Sequence, residues 1–174
     1  MRGRLRGKLQ ALQALAPTYA ANFLFQRVMG VNRDCGWPVH FTSKVQSPEC
    51  IHIHPSVRRS FAVSGGCYIQ AQNGLYIGEG TIFAFGVKII TADYNLPSLK
   101  DMRIVPPVRI GKHCWLGANA VVLPGVELGD HVVVGAGAVV TKSFPSHSVV
   151  VGIPAQLLRT IATPEGPGEA QSPG

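Results

Sequence analysis

The chain has 174 residues, a formal net charge of +7, 14% charged and 46% hydrophobic residues, enough for one domain with a core and too apolar for a disordered polymer. Its 20 glycines and 13 prolines exclude a helical bundle and imply a chain that turns often. Cys35, Cys50, Cys67 and Cys114 form no CxxC pair and no Cys/His ligand run, so they read as free thiols in a reducing, cytoplasmic setting, with no metal site expected.

The charge is densest at the start, where Arg2, Arg4, Arg6 and Lys8 precede an uncharged stretch from Leu9 to Gln26. Gln10, Gln13, Pro17, Thr18, Asn22 and Gln26 make that stretch too polar for a membrane span, and it lacks a clean apolar signal core. Leu5, Leu9, Leu12 and Leu15 share one helical face. The spacing predicts an amphipathic helix that packs on its own protein and that an anionic membrane would attract as a peripheral contact. The basic residues are not interleaved with aromatics, which argues against nucleic acid as a partner. Residues 1–45 thus form a helical, then irregular, segment. Residues 46–162 form the body, and residues 163–174, poor in apolar side chains, are expected to be a disordered tail.

The body is repetitive. Read in sixes, residues 110–145 give IGKHCW, LGANAV, VLPGVE, LGDHVV, VGAGAV and VTKSFP. The first position is always aliphatic: Ile110, Leu116, Val122, Leu128, Val134, Val140. The fifth is small or branched at Cys114, Ala120, Val126, Val132 and Ala138, with Phe144 last. The same phase recurs at Ile77, Phe83 and Ile89. Neither a helix nor an alternating strand has a six-residue period; a triangular coil does, each hexad supplying one short strand and one corner. First and fifth positions point inward. Fourth positions, Gly80, Gly86, His113, Asn119, Gly125, His131 and Gly137, sit where the backbone must turn, which suits Gly, Asn and His. The expected fold is all-β, a parallel β-helix with an N-terminal helical segment and a short C-terminal extension. The phase breaks between Ile89 and Ile110, so residues 92–103 contain a loop that leaves the coil.

The segments CWLGA, GAGAVVTK and GIPA, with the loop stretch IITADYN, resemble hexapeptide-repeat O-acetyltransferases over about residues 50–160. VNRDCGWPVHFTS looks most like the polysaccharide-biosynthesis branch. The resemblance implies a left-handed coil, a homotrimer, acetyl-CoA as co-substrate, and a sugar or glycan-precursor hydroxyl as acceptor. It implies that Gly117, Ala118, Gly135 and Ala136 line the pantetheine arm, that Trp115 flanks the groove, and that Thr141, Lys142 and Arg159 meet the nucleotide end; a further family arginine falls on Gln156. An acceptor-side amide matches Gln70. The loop histidine that family members use as general base falls, counted from Ile77, on Tyr94. A phenol titrates near pH 10, so a neutral tyrosine is a weak base. His52 and His54 alternate on one strand face, His113 and His131 occupy corners, and His147 follows the repeats. Two other readings remain. One is a non-catalytic trimeric scaffold that has lost the base. The other, a zinc enzyme on the same coil, is disfavoured by a loop without histidine.

Overall fold

The computed structural model describes residues 2–98 and 100–161, with side chains from Gln13 onward. The expected tail, 163–174, lies outside the described residues. After helix α1 (Arg2–Phe23) and a π-helical turn at Leu24–Val28, the chain enters short strands. In order they are β1 (Lys44–Gln46), β2 (Ile51–Ile53), β3 (Tyr68–Gln70), β4 (Leu75–Ile77), β5 (Ile82–Phe83) and β6 (Lys88–Ile90). A hairpin follows, β7 (Asp93–Tyr94) and β8 (Met102–Arg103). Then come β9 (Val108–Ile110), β10 (Trp115–Leu116), β11 (Val121–Val122), β12 (Glu127–Leu128), β13 (Val133–Val134) and β14 (Val139–Val140). The last two are β15 (Ser148–Val151) and β16 (Gln156–Thr160). A short helix, α2 (Arg58–Val63), interrupts the series between β2 and β3.

Three sheets result. Sheet A runs β1-β3-β6-β11-β14, sheet B runs β2-β4-β9-β12, and sheet C runs β5-β10-β13-β15-β16. Pairing within them is parallel except for β15 with β16. The chain visits A, B and C in turn, so every third hexad returns to the same sheet. The register explains why six is the period. Leu116 lies between Phe83 and Val134, and Val122 between Ile89 and Val140, each first position stacked on its counterpart. All of these are buried, as are the fifth-position Cys114, Ala120, Val126, Val132 and Ala138. Full burial of each large aliphatic side chain contributes about 1.5–3 kcal/mol, and one continuous core column results.

The corners follow the sequence closely. Gly80, Gly86, Gly125 and Gly137 have φ of 70°, 71°, 73° and 69°, while His113, Asn119 and His131 have 54°, 58° and 57°. Where glycine fills the second hexad position the coils are stacked too tightly for a side chain: a Cβ on Gly117 would stand 2.6 Å from the Ala136 amide nitrogen. At the corner between sheets B and C, the His113, His131 and His147 rings stack at 5.1 and 5.0 Å between centroids. His147, with φ 64°, is therefore a repeat corner and does not follow the repeats.

Phe144 corrects the sequence reading in the same way. It bridges Leu128 in parallel and so takes a first, not a fifth, position. The step from Val140 to Phe144 is four residues instead of six. The phase therefore breaks more than once, and the breaks between strands share one corner. From sheet A to sheet B the aligned steps are Val45 to Ile53, Ile69 to Ile77, Ile89 to Ile110, Val122 to Leu128 and Val140 to Phe144. They span 8, 8, 21, 6 and 4 residues. Between β4 and β15 the other two corners keep six. In the first coil α2 replaces the sheet C strand, and its Phe61 packs edge-on against Phe83 at 5.0 Å. His54 is also not a strand residue: its Nδ1 accepts the Ser56 amide and caps a 3₁₀ turn.

The N-terminal helix docks through polar groups. Asn22 donates to the Ala62 carbonyl at 2.8 Å and accepts from the Phe41 amide at 3.0 Å. Gln26 donates to the Asn32 and Trp37 carbonyls and accepts from the Val39 amide. No helix among the described residues is long and apolar enough to cross a membrane.

The corner geometry makes a stability prediction. His131→Gly should stay within about 1 kcal/mol of the parent, because glycine keeps the left-handed backbone free of strain. His131→Val should lose a further 1–3 kcal/mol or so, since a β-branched residue is strained there. Urea unfolding of the two variants checks the order.

Candidate functional site

The sequence-predicted residues fall in two places on one chain. The first is the corner between sheets A and B, where the hairpin leaves the coil. Its base is bolted to the preceding coil by amide side chains. The Gln70 side-chain oxygen accepts from the Ala92 amide at 3.1 Å, and its nitrogen donates to Gln72 at 3.3 Å. Asn73 donates to the Thr91 carbonyl at 2.8 Å and to the Arg103 carbonyl at 3.2 Å, while its own amide donates to the Thr91 hydroxyl. Asn73 was not singled out from sequence as an anchor. The signal available was an Asn-Gly pair at a corner longer than six residues.

In the hairpin, Tyr94 lies opposite Met102 and is 44% exposed. Asp93 accepts from the Tyr94 amide and pairs with Arg103 at 3.5 Å. The pair is exposed and contributes about 0–1 kcal/mol, so it orients the hairpin more than it holds it. Thr141 and Lys142 share this corner in the last coil, both exposed. The Lys142 ammonium donates to the Gln156 side chain at 3.2 Å and lies 5.6 Å from the Phe144 ring centroid.

The second place is the corner between sheets C and A. Trp115 is 52% exposed, in register with Ile82 and Val133 on the outer face of sheet C. Beyond it, Gly117 and Ala118 turn the corner, and Gly135 and Ala136 turn it one coil later. The Ala118 carbonyl accepts from Gly137 N of the next coil at 2.8 Å. The Ala118 and Ala136 amides donate to no group among the described residues. The Phe85 amide one coil earlier donates to none either, so three unpaired N–H groups, from Phe85, Ala118 and Ala136, stand along one corner, neighbours about 4.8 Å apart as adjacent coils are. Arg159 lies on β16 opposite Val149, exposed.

Gln70 and the hairpin are thus joined, and so are Lys142 and Gln156. Tyr94 and the Ala118–Ala136 corner are not; sheet A lies between them. None of the described histidines is on the hairpin. His40 stacks on Phe41 at 4.7 Å and bonds Thr42 at 2.9 Å, and burial pushes its pKa below the usual imidazole value. His52 stacks on Tyr76, whose other neighbour is the Arg109 guanidinium at 4.3 Å. The thiols are poor nucleophiles: burial pushes Cys35 up to about 11 and raises Cys67 and Cys114. No cluster of three or more His, Cys, Asp or Glu among the described residues is arranged to hold a metal ion.

Gln70→Met keeps the volume and removes the acceptor for the Ala92 amide. Hydrogen exchange at Ala92 should quicken by about tenfold, the worth of one such bond. Unchanged exchange, read by mass spectrometry on the hairpin peptide, would mean the amide does not hold the loop.

Residues 107–142 match the model of the hexapeptide repeat of succinyl-transferase. The chain is 45% identical over 94 residues to nodulation protein L of Rhizobium meliloti, covering 52% of this chain and 51% of that protein. It is 45% identical over 86 residues to a 2,3,4,5-tetrahydropyridine-2,6-dicarboxylate N-acetyltransferase of Lacticaseibacillus paracasei, covering 49% and 31%. The matches therefore span about half or less of these relatives. A hexapeptide-repeat acetyltransferase from Vibrio cholerae, solved with acetyl coenzyme A, has a similar fold: TM-score 0.50, 22% identity, 88% of this chain and 90% of that one.

Proposed function

We propose that this chain, which belongs to the hexapeptide-repeat proteins, is an acetyl-CoA-dependent O-acetyltransferase acting on a sugar or polysaccharide-precursor hydroxyl. In this reading it works as a homotrimer of left-handed coils. The observation that carries it is the pair of unpaired amides at Ala118 and Ala136. They stand beside an exposed tryptophan at a corner stripped of bulk. A pantetheine arm carries amide carbonyls along its length, and two outward N–H groups on successive coils are matched donors for them. Gly117 and Gly135 keep that corner narrow, although the stacking of coils requires Gly117 in any case. Lys142, exposed near β16, is placed to meet phosphate, as is Arg159. Gln156 takes up one donor of Lys142 where a second cation would otherwise stand.

The hairpin lies across sheet A from these amides, so a groove with both components needs a second copy of the chain. Each groove then takes the Ala118–Ala136 corner from one subunit and the Gln70–Tyr94 corner from the next. In the reaction the acceptor oxygen attacks the thioester carbonyl carbon. Its proton passes to a base, the carbon–sulfur bond breaks, and coenzyme A leaves as a thiol after gaining a proton. Tyr94 occupies the hairpin position for the base. Its substitution for the imidazole also supports a second reading, a trimeric binding protein that retains the groove and transfers nothing. The matched relatives include an N-acetyltransferase, so amino and hydroxyl sugars both belong in the assay.

Calorimetry with acetyl-CoA tests the groove. Lys142→Glu should weaken binding about tenfold at low salt without changing the unfolding midpoint. Equal affinity would place the nucleotide elsewhere, and a monomer by sedimentation would remove the groove altogether.

Release of thiol from acetyl-CoA, followed over a panel of sugars, tests the base. Tyr94→His should raise turnover by about 10²–10⁴, the usual worth of a general base. Tyr94→Phe abolishes an existing activity only if the hydroxyl takes part. Inactivity of parent and both variants would support the binding protein.

A further inference from the structure

The C-terminal end of helix α1 is turned inside out relative to an ordinary surface helix. The buried positions there, Asn22 in the helix and Gln26 in the π-helical turn that follows, are polar, and their hydrogen bonds to loop backbone hold the segment in place. The solvent side of the helix end and the turn is rich in apolar residues: Phe23 is 66% exposed, Val28 70% and Met29 63%, with Tyr19 and Leu24 beside them. Helical spacing from Phe23 back through Tyr19 and Ala16 continues in sequence to Leu12, Leu9 and Leu5. The helix has 22 residues and is about 33 Å long. Beside its end lies a cavity of about 340 Å³ walled in part by Tyr19, Phe23, Trp37 and Pro38. An apolar face left outward on a docked helix marks an interaction surface.

Charge decides what covers it. Residues 1–33 contain six Lys or Arg and no Asp or Glu. Arg27 and Arg33 are exposed next to the apolar residues, and Asp34 is the first acid in the chain. Packing this segment on a second copy would bring like charges together. An anionic bilayer instead offers phosphate to the cations and acyl chains to Phe23, Leu24, Val28 and Met29, and each cation near such a surface adds to the attraction. We infer that α1 and the π-helical turn dock the protein on an anionic lipid surface, helix axis in the membrane plane.

Co-sedimentation of the full chain with phosphatidylcholine vesicles, with and without phosphatidylglycerol, tests this. Binding is expected only with phosphatidylglycerol, and it should weaken in about 0.5 M salt. The double variant Phe23→Glu, Val28→Glu should bind at least about tenfold less. Sedimentation mass and unfolding midpoint should not change. Should that variant misfold, Phe23→Ser with Met29→Ser makes the same comparison. Failure of the parent to bind, or equal binding by the variants, overturns the inference. A fall in sedimentation mass in the variants overturns it in favour of a contact between copies. No acyl transfer is read, so the outcome is independent of the proposed reaction.

Discussion

Each coil in this molecule is held by the coil above and the coil below. Strands of two or three residues are far too short to persist alone, and no coil encloses a core without its neighbours. Two contacts act together along the stack. Main-chain hydrogen bonds pass from one coil to the next, as from Trp115 N to the Val132 carbonyl and from Gly117 N to the Val134 carbonyl. Inside them, first-position apolar side chains such as Phe83, Leu116 and Val134 form one column. The close approach that the hydrogen bonds require is what removes the side chain at Gly117. The sequence pattern, aliphatic then glycine, is the imprint of that spacing. Stability of such a stack is roughly a sum over neighbouring coils, so its two ends need covers. One end carries α2 and the polar docking of α1; the other carries β16, which turns back antiparallel on β15.

Stacking also decides where the chain is free to vary. A change of length at a corner is tolerated only if the strands on both sides keep their register. The corner between sheets A and B absorbs steps from four to 21 residues, while the other two stay at six between β4 and β15. The longest step becomes the hairpin, and the amides of Gln70 and Asn73 in the preceding coil tie it down. A loop anchored on a rigid stack presents side chains in fixed positions. On the proposed reading this is why the acceptor side of the reaction resides there.

Much of the fold was legible in the residues. The six-residue period named inward and corner positions correctly wherever Ile, Leu or Val alternated with Gly, Asn or His, and φ at His113, Asn119 and His131 is positive as the pattern required. What the pattern missed was context. Phe144 has the right chemistry for either inward position, and only its pairing with Leu128 assigns it. His147 was hidden by the same shortened step. Nothing in the repeat pattern marked Arg58–Val63 as a helix, and its Phe61 packs edge-on against Phe83. The site was less legible than the fold. Spacing located the loop, but the bond from Ala92 to Gln70 and the pairing of Lys142 with Gln156 join residues 14 or more apart in sequence.

The unpaired amides of Ala118 and Ala136 and the hairpin bear on assembly through symmetry. A protein rarely leaves outward main-chain donors unsatisfied unless water or a ligand meets them, and water alone is a sufficient partner at an exposed corner. Ala118 and Ala136 differ from ordinary corners in what surrounds them: small residues on both coils and an exposed Trp115 beside them. Sheet A separates that corner from Tyr94 within one chain. A cyclic arrangement brings unlike surfaces of neighbouring copies together and repeats the contact around a closed ring. If the corner of one copy meets the hairpin of the next, every copy contributes twice and no half-site is left over. On the proposed reading, catalysis and closure of the ring are then one geometric requirement, set by which two corners of the triangle carry function.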